Sequence, residues 1–143
     1  MLKDLYLNWV KLTKEDISDV SGQYLDYIIS GQSLKEYLGI RTNTDVTPFG
    51  WFLNKNESIR ALKELRLQAK SRLANNRVEL YICAACGDIG CGAITAKVID
   101  KGDKIIWSEF ASQSDPDEII EFFEVEYIEF ERENYFKALS QVK

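Results

Sequence analysis

A chain of 143 residues and 16.5 kDa, 45% hydrophobic and 29% charged, suits one folded domain, residues 1–143, with a core of its own. No apolar run approaches the roughly 20 residues of a membrane span. The opening Met1-Leu2-Lys3-Asp4-Leu5-Tyr6 lacks the apolar stretch of a secretory signal, so the expected compartment is cytoplasmic. Histidine is absent, which removes the usual general base, the usual triad partner and the commonest metal ligand together.

Taken in order, Leu5 to Leu12 is rich in aromatic and aliphatic residues and predicts a strand, and Gln23 to Ile29 predicts a second. Ser30-Gly31-Gln32 is a turn. Ser33 can cap a short helix whose apolar face is Leu34, Tyr37 and Leu38, with Glu36 at the capping-box position and Gly39 as its stop. Residues 41–50 read as a loop, and Pro48-Phe49-Gly50-Trp51-Phe52 reads as a packed loop more readily than as a binding platform. Asn56 offers an N-cap to an amphipathic helix with Ile59, Leu62, Leu65, Ala69 and Leu73 on one stripe. Arg77 to Cys83 alternates, with Val78, Leu80 and Ile82 on one side. Cys91 to Ile99 is the next strand, with Ile94, Ala96 and Val98 together. Asp100-Lys101-Gly102-Asp103 is a hairpin turn and Lys104 to Phe110 its return strand. Ala111 to Glu118 reads as a polar loop, Phe122 to Phe130 as a strand, and Glu131 to Val142 as a closing helix with Tyr135, Phe136, Leu139 and Val142 inward. The expected class is α+β: a mostly antiparallel sheet with two to three packed helices.

The net charge of −5 hides an uneven distribution. From Asp103 to Glu133 eleven acidic residues face only Lys104 and Arg132, while Arg60, Lys63, Arg66, Lys70, Arg72 and Arg77 cluster upstream against Glu64. A nucleic-acid binder needs a dominant basic face, and the acidic final third argues against that role. The carboxylates are either the solvated face of ordinary elements or a surface that steers a basic protein partner.

All three cysteines lie in Cys83-Ala84-Ala85-Cys86-Gly87-Asp88-Ile89-Gly90-Cys91-Gly92, a C-x2-C-x4-C spacing between two predicted strands. Three readings stand: small buried thiols packing a tight connection, a zinc site short of a fourth ligand, or a redox pair. The glycines sit between strands without the following helix that a phosphate-cradling loop requires. Together with Ala93-Ile94-Thr95 and the later Trp107-Ser108-Glu109-Phe110, this block resembles a family of small bacterial proteins carrying C-x2-C-G-D-x-G-C-G-A-x-T and W-x-[DE]-F. Thr47-Pro48-Phe49-Gly50-Trp51 is similar to that family's proline-glycine-tryptophan element. Members are sometimes labelled oxidoreductase. This chain carries Ala84-Ala85 where the family pattern has Pro-Glu, and the resemblance brings no catalytic residue with it.

The residues therefore point first to a non-enzymatic protein-binding domain, an immunity-type inhibitor of a basic, nuclease-like bacterial toxin. Its expected surface comprises Asp115, Asp117, Glu118, Glu121, Glu124 and Glu126, with Trp107, Phe110, Phe122 and Tyr127 as apolar anchors. No cofactor, membrane or nucleic acid is expected. The alternative is a cysteine-dependent redox or zinc protein using Cys83, Cys86 and Cys91.

Overall fold

The computed structural model describes residues 2–12, 22–40, 45–49, 55–71, 73–83, 92–115 and 118–142. Its strands are β1 (Leu2–Lys3), β2 (Leu5–Leu12), β3 (Gly22–Ile29), β4 (Gln32–Ser33), β5 (Asp45–Val46), β6 (Arg77–Cys83), β7 (Ala93–Asp100), β8 (Lys104–Asp115), β9 (Glu118–Phe122) and β10 (Tyr127–Glu131). Its helices are α1 (Leu34–Leu38), α2 (Lys55–Leu65) and α3 (Arg132–Leu139). The main sheet runs β1-β10-β8-β7-β6-β5, with β9 also on β8, and a small sheet runs β2-β3-β4. Among the described residues every pairing is antiparallel except β1 with β10. The class is α+β, as the alternation and hairpin signals predict.

Both sheets and all three helices close on one core, centred on Trp107. Its ring meets Tyr27 at 5.3 Å, Phe130 at 4.9 Å and Tyr135 at 6.0 Å between centroids, all steeply inclined, a geometry the ring quadrupoles favour. Trp107 Nε1–H donates to Tyr135 Oη (3.2 Å), which in turn donates to the Leu65 carbonyl (2.7 Å). That relay ties β8, α3 and the end of α2 together and satisfies both buried polar atoms. Trp107 and Phe110 are therefore core residues at 0% exposure and not surface anchors. The inward face of β8 claims them, because a ring this large gains most where it is fully removed from water.

The short helix forms with the expected cap and stop, though Glu36 makes no capping-box bond to Ser33 among the described residues. Ser33 Oγ accepts from the Lys35 N–H (3.2 Å), and Gly39 closes α1 at φ +72°, where its N–H and that of Ile40 return to the Glu36 and Lys35 carbonyls. The second helix departs from expectation at both ends. Asn56 lies inside α2 rather than capping it, and the helix stops at Leu65. Leu67, at φ +59°, takes the left-handed place that glycine usually fills, with Leu67 N–H bonding the Glu64 carbonyl and Gln68 N–H the Lys63 carbonyl. Ile59 is exposed, as is Ala69, while Glu64 turns inward beside Ala61 and Leu65. A carboxylate tolerates that position because Arg60 reaches it, and the same guanidinium lies 3.6 Å from Glu79 on β6.

Three strand expectations also change. Residues 45–46, within the expected loop, add β5 to the edge of β6. In β6 the register slips between Glu79 and Tyr81, so Tyr81 joins Val78 and Leu80 in the main core while Arg77 and Glu79 are buried too. Beyond Phe110, β8 continues to Asp115 instead of becoming a loop, and the expected strand 122–130 is two strands, β9 and β10. They share one edge of β8, with β10 on Lys104 to Ser108 and β9 beyond Ala111. The extra residue between them is a bulge: Thr95 faces Ala111 while Lys97 faces Ser108, and Glu109 sits at φ +52°. Of the packed loop, Pro48 and Phe49 are buried, whereas Gly50, Trp51 and Phe52 lie outside the described residues. Among the described residues no helix is long and apolar enough to cross a membrane.

Candidate functional site

Burial separates the acidic residues into groups the sequence does not distinguish. Glu109 is held by Lys97 (3.1 Å) and Glu129 by Lys104 (2.5 Å), one on the bulge and the other within β10. The Lys104 hydrogen bond and charge hold the Glu129 carboxyl below its ordinary value and raise the Lys104 ammonium in return. Glu121, Glu124 and Glu126 are instead exposed around the β9–β10 connection, and none meets a cation among the described residues. Asp117 and the side chains of Asp115 and Glu118 lie outside what is described.

The β9–β10 connection and the C-terminal end of α1 enclose an open groove of about 490 Å³. Glu121, Phe122, Phe123, Glu124 and Val125 form one wall, and Glu36, Tyr37, Leu38 and Gly39 the other. Phe123 and Val125 are half-buried against the core, as is Tyr37, so the floor is a continuation of the interior. Three exposed carboxylates, Glu36, Glu121 and Glu124, stand around that apolar floor. The wall is anchored by the Phe123 N–H to the Phe110 carbonyl (2.8 Å), just past the bulge.

Phe122 is 54% exposed but not loosely placed. The Arg77 guanidinium lies 5.9 Å from its ring centroid, within reach of a cation–π attraction. Arg77 is itself buried, donating to Thr95 Oγ1 and to the carbonyls of Thr95 and Glu109. Burial lowers its guanidinium from the ordinary value, and the Glu109 charge offsets part of that shift. The bulge that turns the Glu109 carbonyl toward Arg77 thus also seats the aromatic rim of the groove. Tyr127, likewise 54% exposed, stands at the start of β10.

Of the expected surface, Glu121 and Glu124 come together with Phe122, while Trp107 and Phe110 do not belong to it. Glu36, Tyr37, Leu38, Phe123 and Val125 are the residues sequence reasoning misses. Glu36 and Tyr37 read as parts of a local helix, and no sequence signal places that helix beside residues 121–125, more than 80 positions away. Of the cysteine cluster only Cys83 is described, as a half-buried free thiol at the end of β6. Cys86 and Cys91 lie outside the described residues.

Comparison with protein-family models, with curated proteins and with solved structures finds no match to this chain.

Proposed function

We propose that this protein is a non-enzymatic binding domain whose acidic groove receives a basic, apolar-faced segment of a protein partner, a role suited to inhibiting a basic, nuclease-like bacterial toxin. The observation supporting this reading is the pairing of three exposed carboxylates with a floor of half-buried aromatic and aliphatic side chains in one groove. Carboxylates steer a cationic surface toward the site and set its orientation. The affinity comes chiefly from burying apolar anchors, of which Phe122 is the largest exposed one at the rim. Carboxylates can also occupy the cationic site where a nuclease expects phosphate.

The test uses a panel of basic ribonucleases and deoxyribonucleases together with an alternating lysine–leucine peptide, with association followed by biolayer interferometry. The expected association rate falls roughly tenfold between about 20 mM and about 200 mM salt. The double substitution Glu121→Lys with Glu124→Lys should reduce it further, and Phe122→Ser should speed dissociation. Absence of binding across the panel, or binding indifferent to salt and to charge reversal, refutes the proposal.

A further inference from the structure

The small sheet ends on β2, and the register of that strand shows which of its main-chain groups face outward. Asp4 accepts from the Ser30 N–H (2.9 Å) on the β3 side. The next residue, Leu5, turns the other way: its N–H donates to Asn134 Oδ1 (2.8 Å), and its carbonyl accepts from Asn134 Nδ2 (3.4 Å). Because residues in an antiparallel ladder alternate sides, Leu7, Trp9 and Lys11 also turn their N–H and C=O groups outward. None of these groups has a partner among the described residues. Asn134 thus fills the first rung as a side-chain imitation of a neighbouring strand, and among the described residues nothing fills the next three.

Such an edge normally carries a charge, a proline or a bulge as protection. Here Leu5–Leu12 holds a single charge, Lys11, and its exposed side chains include Tyr6 and Trp9, at 46% and 51% exposure. Trp9 lies on the inward-facing side with Leu5 and Leu7, yet extends beyond the core that covers them.

We infer that β2 is a self-association edge that pairs antiparallel with β2 of a second copy about a two-fold axis at Trp9. The three open rungs have Trp9 as their midpoint. In that register Leu7 faces Lys11 of the partner, Trp9 faces Trp9, and every outward donor of the three meets an outward acceptor. No like charges lie directly opposite, and neither strand brings a carboxylate to the contact between two chains of net charge −5. A second copy suits this register: its open groups match themselves, Lys11 meets Leu7 instead of a second cation, and the two apolar Trp9 rings meet each other. The interface is isologous and closes at two chains. Its small area makes it a weak contact, with a dissociation constant of roughly 0.1 mM.

Sedimentation equilibrium from about 10 µM to about 1 mM brackets that constant and should show a monomer–dimer equilibrium. Trp9→Lys should shift it at least tenfold toward monomer, whereas Ile59→Lys, an exposed change on α2, should leave it in place. Hydrogen exchange on the unaltered chain supplies a reading that needs no variant: the amides of Leu7, Trp9 and Lys11 should slow as concentration rises. A monomer at every concentration overturns the inference. So does a dimer that ignores Trp9→Lys and leaves those three amides unprotected.

Discussion

Alkaline pH should unfold this protein through three buried phenols. Burial raises Tyr27 and Tyr81 well above the ordinary phenol value, with the Asp26 charge adding to both, and burial raises Tyr135 against an opposing hydrogen bond from Trp107. Each hydroxyl is committed to an acceptor: Tyr27 to the Leu80 carbonyl (2.9 Å), Tyr81 to Asp26 Oδ1 (2.5 Å) and Tyr135 to the Leu65 carbonyl (2.7 Å). In the unfolded chain these phenols ionise near pH 10, whereas in the folded chain they stay protonated well beyond it. Their contribution to stability is therefore complete below about pH 10 and declines as pH rises above it. Each phenol costs about 1.4 kcal/mol per pH unit in that window, so the three together cost roughly 4 kcal/mol per unit. Set against a typical total of about 5–15 kcal/mol, that slope brings unfolding within about one to four units. Urea unfolding at fixed pH values from 9 to 11.5, with phenolate absorbance at 295 nm recorded in parallel, measures it. Tyr135→Phe should remove about a third of the slope. A stability flat across this window, or a slope that Tyr135→Phe leaves unchanged, refutes the reasoning.

Other outcomes follow from single contacts. Trp107→Ala should cost about 3–5 kcal/mol in urea unfolding, since it empties the centre of the core and removes a hydrogen bond from Tyr135. Gly39→Ala should cost roughly 1 kcal/mol: no atom lies within 4 Å of an added Cβ, so the penalty is the left-handed backbone alone. Asn134→Ala should cost about 1–2 kcal/mol for two lost hydrogen bonds and should raise hydrogen exchange at the Leu5 amide in dilute solution.

The aromatic core and the acidic groove differ in how far local pattern reveals them. Trp107 and Phe110 look like exposed anchors in a linear reading because they precede an acidic run, yet the two faces of β8 decide which large side chains are buried. Glu64 looks like a solvent residue on a basic helix until Arg60, one turn earlier, is seen carrying it against Glu79. Leu67 carries no glycine signal and still ends α2, because the two closing hydrogen bonds offset the left-handed strain.

Local rules alone were enough for β2 and β3, the Ser33-capped turn of helix ended by Gly39, the hairpin through Gly102, and the α+β class. Each depends on neighbours within a few residues: alternation, capping, or a residue able to take positive φ. Only the folded chain decided that β8 would divide its edge between β9 and β10, that a bulge at Glu109 would seat Arg77 under Phe122, and that α1 would stand beside residues 121–125. Those arrangements join positions tens of residues apart. Their free energy comes from side chains that meet only once the sheets close, so no short window of sequence contains it.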